Sequence, residues 1–306
     1  MTVHVVGNAC LDTLYRLQRF PEPGETVVAD GMAEDLGGKG LNQAVAASRA
    51  GARVRLFAAI GSDRPGEAVA DRLAAEGIDA SGLARLDCPT DRSMIQVDAA
   101  GENTIVSVTA CADRFAPPLG TDLDTRLEAG DLLLMQGNLR IAAVRDCFTL
   151  ARGRGAGTVL NPSPIRDSYA AVLPLADLLV VNRGEACRLG GDADPHRSAQ
   201  TLLRRGASAV VVTLGAAGAS LVTADGRQDF PAPAVRAADT AGAGDLLCGV
   251  LAGLLDRGVA VEDALPAAIR AAAIGVTRAG VLSSFPSRDE ISAILPASLA
   301  RGGAER

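Results

Sequence analysis

The sequence predicts an α/β fold of three layers: a central, mostly parallel sheet flanked by helices, with a small β-sheet lid. Three observations lead there. Short continuous apolar runs recur at 3–6, 54–60, 132–136, 158–160, 178–181 and 210–214, the pattern of strands buried on both faces. Helical patterns lie between or after them, at 41–50, 66–76, 142–152, 184–189 and 198–205, and the last third is helix-rich from Ala243 to about Ala279. Two stretches break the alternation. Residues 11–36 are polar and turn-rich, with Pro21, Pro23 and Gly24, and 93–98 and 104–108 flank the hairpin signal Ala100-Gly101-Glu102.

Alternating β and α units require parallel strands joined by helical crossovers. The two exceptional stretches read either as ordinary surface hairpins or as one projecting sheet that covers a site. The second reading gives one domain at 1–295, with a lid at about 11–36 and 90–110, and a tail at 296–306.

Composition narrows the chemistry. A chain of 306 residues is long enough for a well-buried core, and without Trp and with few aromatics that core is built from Ala, Val, Leu and Ile. The 34 glycines against 15 prolines indicate tight turns, not disorder. A formal charge of −6 with no Lys/Arg block argues against a nucleic-acid partner. Phosphate binding stays open, because backbone N–H groups need no net charge for it.

The six cysteines, at 10, 88, 111, 147, 187 and 248, form no C-x-x-C pair and read as free thiols of a reducing, cytoplasmic setting. The N-terminus reads as a first strand, not a signal peptide. The apolar run after Ala267 is broken by Arg270 and Arg278, so no membrane span is expected. Only His4 and His196 are present, which disfavours a Ser-His-Asp triad or a poly-His metal site and leaves a carboxylate as the natural general base.

The strongest motif is Asp239-Thr240-Ala241-Gly242-Ala243-Gly244-Asp245, followed by an apolar run at 246–255. Small residues let the backbone approach a ligand, and a helix starting there aims unpaired N–H groups at one spot. Such a spot suits phosphate oxygens that gain charge during transfer. An acid beside an anion is electrostatically awkward, but Asp245 makes sense there as the acceptor of a proton from an attacking hydroxyl. The bland alternative is a helix start whose acid offsets the dipole.

Gly37-Gly38-Lys39-Gly40-Leu41-Asn42-Gln43-Ala44 is a second glycine-rich turn leading into a helix. It is no P-loop, because Gly40 follows the Lys, and no dinucleotide fingerprint, because Gln43 stands at the third Gly. Its cation and amide suit a polyhydroxyl ligand or a phosphate, or they decorate a capped turn. Asn182-Arg183-Gly184-Glu185 follows a strand, where α/β sheets bind ligands. Those groups suit the water shell of Mg²⁺, or an exposed helix start. Thr213-Leu214-Gly215-Ala216-Ala217-Gly218 follows another strand and fits a nucleotide cradle or a plain hairpin. Asp12 is a lone acid beyond the first strand.

Together and in this order, the segments resemble the ribokinase family of carbohydrate kinases, the PfkB-type enzymes, from Val3 to about Pro286. Residues 37–44 resemble the first family signature and 239–245 the second. The resemblance implies that Asp245 deprotonates the acceptor, with Gly242, Ala243 and Gly244 N–H groups as the anion hole for the γ-phosphate. It implies that Asp12, Gly38, Lys39, Asn42 and Asn138 face the sugar. Asn182, Thr213, Gly215, Gly218 and Gly244 would line the nucleotide site, with Glu185 supporting Mg²⁺ through water. Asp239, Ala241, Gly280 and Ser284 would surround K⁺. The implied partners are a small sugar, ATP and a second copy of the chain docked through the lid, where Leu14, Tyr15, Leu17 and Phe20 are candidate contacts.

Two positions depart from the ribokinase pattern. Cys10 stands where Asn is usual and Asn138 where Glu is usual, and both positions face the sugar in the family. A thiol is a weak hydrogen-bond partner and an amide donates where Glu only accepts, so D-ribose itself is in question. The expected reaction is transfer of the ATP γ-phosphoryl group to a primary hydroxyl of a small sugar. A nucleoside or sugar-phosphate acceptor is the alternative within the class. Lys39 is the only lysine, so any further cation for a phosphorylated acceptor is an Arg such as Arg16, Arg92 or Arg140. A non-catalytic sugar or nucleotide sensor on the same fold is the alternative outside it.

Overall fold

The computed structural model describes residues 1–100, 102–118, 121–166 and 168–295. Gly101 of the hairpin signal and the expected tail at 296–306 lie outside the described residues. The first half runs β1 (Val3–Val6), β2 (Cys10–Arg16), β3 (Gly31–Gly37), α1 (Lys39–Arg49), β4 (Val54–Gly61), α2 (Arg64–Ala75), β5 (Leu83–Leu86), β6 (Asp91–Val97), β7 (Asn103–Val108), α3 (Ala110–Arg114) and α4 (Leu123–Arg126). The second runs β8 (Leu132–Gln136), α5 (Ile141–Arg154), β9 (Gly157–Asn161), β10 (Leu178–Asn182), α6 (Arg183–Gly190), α7 (Pro195–Arg204), β11 (Ala209–Thr213), β12 (Ala219–Thr223), β13 (Gly226–Phe230), α8 (Ala243–Asp256), α9 (Val261–Gly275) and α10 (Arg288–Ile294).

Nine strands form the main sheet in the order β13-β12-β11-β10-β9-β8-β1-β4-β5. All neighbours are parallel except at one edge, where β12 and β13 return as an antiparallel hairpin. Successive residues of a strand point to opposite faces, and here both faces are covered. Val5, Leu56, Leu134 and Val211 pack into one buried cluster, while Val6, Phe57, Leu133, Met135 and Val212 pack into the other. Double coverage is why the central strands read as unbroken apolar runs.

The two exceptional stretches are one structure. β2 pairs in parallel with β6 from Cys10↔Asp91 to Arg16↔Val97, which joins the β2–β3 and β6–β7 hairpins into a four-stranded sheet in the order β3-β2-β6-β7. Met32, Met94, Ile105, Val106 and Val108 are exposed on it.

The first turns of α1 and α8 meet because the two helices pack at glycine distance. A Cβ on Gly249 would lie 2.4 Å from the Gln43 carbonyl oxygen and 2.5 Å from Ala46 Cβ. One on Gly253 would lie 2.8 Å from the Ala47 carbonyl oxygen. Side chains at these two positions would push the helices apart and separate the residues that follow.

Candidate functional site

Three side chains from the start of α1 converge on one carboxylate from the start of α8. Asp245 is buried, and its Oδ1 accepts from Lys39 Nζ at 3.2 Å and from Gln43 Nε2 at 3.0 Å. Its Oδ2 accepts from Asn42 Nδ2 at 3.0 Å. The Lys39 side chain keeps 30 % of its surface exposed against 6 % for Asp245, so the ammonium borders solvent while the acid lies behind it. Burial alone would lower the Lys39 pKa, but the Asp245 carboxylate outweighs it and holds the ammonium above its ordinary value. Glu185 adds to that field, which places α6 within electrostatic reach.

Behind Asp245 runs a chain of buried amides. Gln43 Oε1 accepts from Gln136 Nε2 at 2.8 Å, and Gln43 Nε2 also donates to Asn161 Oδ1 at 3.1 Å. Asn161 Nδ2 donates to the Val180 carbonyl oxygen at 2.9 Å. Gln136 and Asn161 are register partners at the carboxyl ends of β8 and β9. Sequence alone assigns no role to Gln43, Gln136 or Asn161. The available signal was an amide closing each of three apolar strands, at Gln136, Asn161 and Asn182.

The start of α8 has the form that an anion hole requires. α8 starts at Gly242, whose φ of 76° is left-handed, and no side chain caps the helix. A Cβ on Gly242 would lie 2.7 Å from Val281 Cγ1. The N–H groups of Gly242 and Gly244 have no hydrogen-bond partner among the described residues, and that of Ala243 makes a long 3.3 Å contact to the Thr240 carbonyl. Gly244 is exposed and Gly242 and Ala243 are half-buried, next in the chain to the buried Asp245.

Asp12 lies over Gly37, where a Cβ would meet its Oδ2 at 1.9 Å. Burial pushes the Asp12 carboxyl above the usual range, against hydrogen bonds from Cys10 and Ser93 that pull it down; Asp35 and Asp245 add to the rise. Cys10 Sγ donates to Asp12 Oδ1 at 3.2 Å, and burial with the Asp12 charge pushes that thiol well up. Gly38 takes φ 93° and presses on the backbone of Asn8 and Ala9. Asn138 sits in the turn after β8 with a buried Oδ1 that no described residue matches.

The remaining expected residues make no side-chain hydrogen bond to Asp245 among the described residues. Asn182 and Glu185 form a complete capping box, with Glu185 N–H donating to Asn182 Oδ1 at 2.8 Å and Asn182 N–H to Glu185 Oε2 at 2.9 Å. Thr213 ends β11, and Gly215 and Gly218 bound a single 3-10 turn. Gly218 is buried with φ 96°, and a Cβ there would lie 2.0 Å from the Phe230 carbonyl oxygen. Asp239 ties two loops together, its Oδ1 accepting from Ala241 N–H at 2.9 Å and its Oδ2 from Gly280 N–H at 3.2 Å. Ser284 is buried and donates to the Val281 carbonyl at 2.7 Å. No group of three or more His, Cys, Asp or Glu side chains among the described residues has the geometry of a metal cage.

Comparison with known proteins shows the family. Residues 2–288 match the family described as pfkB family carbohydrate kinase. The chain is 31% identical over 295 residues to a ribokinase of Haemophilus influenzae, covering 94% of this chain and 96% of that one. It is 29% identical over 303 residues to a deoxyribokinase of Salmonella typhi, covering 96% and 99%. The crystal structure of a ribokinase from Cryptococcus neoformans in complex with ADP superposes with a TM-score of 0.81 at 29% identity, covering 96% of this chain and 99% of that one.

Proposed function

This chain belongs to the pfkB family of carbohydrate kinases and is a sugar kinase that uses ATP, and we propose that Asp245 is the base of its reaction. The observation that carries the proposal is the pairing of a carboxylate fixed by three donors with helix-start amides that the protein leaves free. A sugar hydroxyl gives its proton to Asp245 as its oxygen bonds to the γ-phosphorus of ATP. The bond to the β-phosphate oxygen breaks, ADP leaves, and the Gly242, Ala243 and Gly244 amides hold the charge that builds on the transferring group. Lys39 neutralises the acid before transfer, and positioning does most of the rest.

Gly38, Asn42, Asp12 and Asn138 hold the sugar, and Thr213, Gly215 and Gly218 line the adenosine end. The relatives' names, ribokinase and deoxyribokinase, support a free pentose with a primary acceptor hydroxyl. The Cys10 thiol donates a hydrogen bond to Asp12, and Asn138 stands where the family usually has an acid, which supports a pentose other than D-ribose.

Mg²⁺ needs few protein ligands, so Glu185 with one oxygen outside its cap fits a water-mediated role. Asp239 with the Ala241, Gly280 and Ser284 carbonyls is an all-oxygen set that fits a potassium ion. Mg²⁺ held through water by Glu185 would supply charge neutralisation at the phosphates, and K⁺ held by the Asp239 set would order the loops on either side of it. The six free thiols support a reducing, cytoplasmic setting.

Asp245→Asn keeps the shape and the neighbours of the base. It should bind ATP and sugar normally and lose roughly 10²–10⁴-fold in kcat, measured with ribose, deoxyribose and a nucleoside as acceptors, with and without Mg²⁺ and K⁺. Turnover near wild type in any acceptor would reject the assignment.

The exposed apolar side chains Met32, Met94, Ile105, Val106 and Val108 support a homodimer through the lid sheet. Sedimentation of the wild type should give a dimer, and Ile105→Lys/Val108→Lys a monomer; a monomeric wild type at assay concentration removes the dimer.

A further inference from the structure

We infer that Gln43 is a positioning residue: it saturates one oxygen of Asp245 and leaves Oδ2 as the atom that takes the substrate proton. The inference rests on Asp245 being the base and adds which of its oxygens acts and what selects it.

The polarity of the amide chain is set from a group that cannot be reversed. The Val180 carbonyl oxygen only accepts, so Asn161 must present its NH₂ to it, at 2.9 Å. Asn161 Oδ1 then faces Gln43 and requires a donor there, at 3.1 Å. Gln136 meets the other side of the same amide with its NH₂, at 2.8 Å, and its own Oε1 is buried without a partner among the described residues. The demand that fixes Gln43 is therefore that of Asn161. A flipped Gln43 would set oxygen against two oxygens, inside a region where Gln43 and Gln136 are buried. Gln43 is therefore an obligate donor to Asp245 whether or not substrate is present.

The consequence follows from lone-pair counting. A carboxylate offers about four acceptor sites, two on each oxygen. Oδ1 takes Lys39 and Gln43 and is filled. Oδ2 takes Asn42 alone and keeps one site. An incoming hydroxyl can be received only there. Lys39 borders solvent with 30 % of its side chain exposed, whereas Gln43 lies wholly inside and keeps its contact. It is the contact that holds the carboxylate plane through the reaction. A reacting group misplaced by about 1 Å loses on the order of 10²-fold in rate.

The test compares Gln43→Met and Gln43→Glu with wild type. Met fills the space without donating, and Glu keeps the shape but reverses the polarity at Asp245 and Asn161. The expected result is a kcat loss of roughly tenfold for Met and about 10²-fold for Glu, with KM for sugar and ATP changed less than about twofold. A packing role predicts the opposite order, because Glu is the closer shape. Asp245→Asn/Gln43→Met should be no slower than Asp245→Asn alone, since the positioning residue has nothing left to position. Should Gln43→Glu fail to fold, Gln136→Met removes the outer donor and is expected to lower kcat severalfold at unchanged KM.

A Gln43→Met enzyme with wild-type kcat, losses that only track the melting temperature, or an additive double variant would each overturn the inference. Those outcomes differ from failure of the base assignment, which shows as turnover in Asp245→Asn itself.

Discussion

Helices α1 and α8 begin differently from helices α2, α6, α7 and α10. The latter four are closed by a side chain: Asp63, Asn182, Asp194 and Ser287 each accept from the first-turn amides, and α6 and α10 complete reciprocal boxes. α1 and α8 begin at Gly38 and Gly242, both at positive φ, and no side chain closes either one. A first turn has four orphan N–H groups, and an interior that leaves them unmatched forgoes about 1 kcal/mol per cap. Helices α3, α4, α5 and α9 also start without a side-chain cap, so what sets α1 and α8 apart is a glycine at positive φ at the start of each. Those two helices carry Lys39, Asn42 and Asp245, and the proposed function gives the first-turn amides of α8 to the phosphate.

The sharpest way to break that contrast is Gly242→Ala. Its φ of 76° and the 2.7 Å approach of a Cβ to Val281 force the start of α8 to move. Strain of about 1–3 kcal/mol is expected in urea unfolding. A displaced donor in the anion hole should cost kcat about 10²–10³-fold. Gly77→Ala, also at positive φ but with nothing within 4 Å of its Cβ and outside the residues assigned to sugar, nucleotide or ion, is the control for strain alone. Equal kcat losses in the two variants would remove the distinction between an open start and an ordinary left-handed turn.

The capped start of α6 should respond in the other currency. Asn182→Ala removes one half of the box and is expected to lose about 1 kcal/mol in urea unfolding. Its kcat should fall far less than that of Gly242→Ala. Glu185→Gln can still accept from Asn182 N–H, so its stability should stay near wild type while its charge is gone. A raised Mg²⁺ requirement in that variant would show that the carboxylate serves both the cap and the ion. Asn182→Ala losing as much turnover as Gly242→Ala would mean that α6 is also an open, ligand-completed start.

What was legible in the sequence follows the same division. Six of the seven inner strands announced themselves because both faces are buried, which makes most positions apolar; the seventh, β12, is Ala-Ser-Leu-Val-Thr, and its apolar run is broken at Ser220. The edge strands did not: β13 is Gly-Arg-Gln-Asp-Phe with an exposed face throughout, and β5 has four residues, so neither carries a pattern. Asp239–Asp245 was legible because glycine spacing is local information. The Gln136–Gln43–Asn161 chain was not, because it depends on the β8–β9 register and on the glycine-distance packing of α1 against α8. The capping box at Asn182 was visible as one of two readings, and a hydrogen-bond geometry was needed to see that the cap is made.

The smallest effect concerns the acids beside the two kinds of start. Glu185 is committed to its cap, whereas Asp12 lies over Gly37 at the open start of α1, and burial raises its pKa above 3.8. In the window from 3.8 up to that raised value the folded protein holds a proton that the unfolded chain has lost. The contribution of this group to stability therefore falls as pH rises through the window. Sugar binding runs the other way, because a carboxylate that accepts sugar hydroxyls must be ionised. The sugar KM, measured at saturating ATP and constant ionic strength, should rise severalfold as pH falls through the window, at most about tenfold per pH unit. Cys10 donates to the ionised form, so Cys10→Ala should move that rise to higher pH, and KM for ATP should not follow it. A sugar KM that is flat with pH, or a Cys10→Ala shift toward lower pH, would mean that Asp12 belongs to the closed, structural side of the comparison and that the acceptor is held by Lys39 and Asn42 without it.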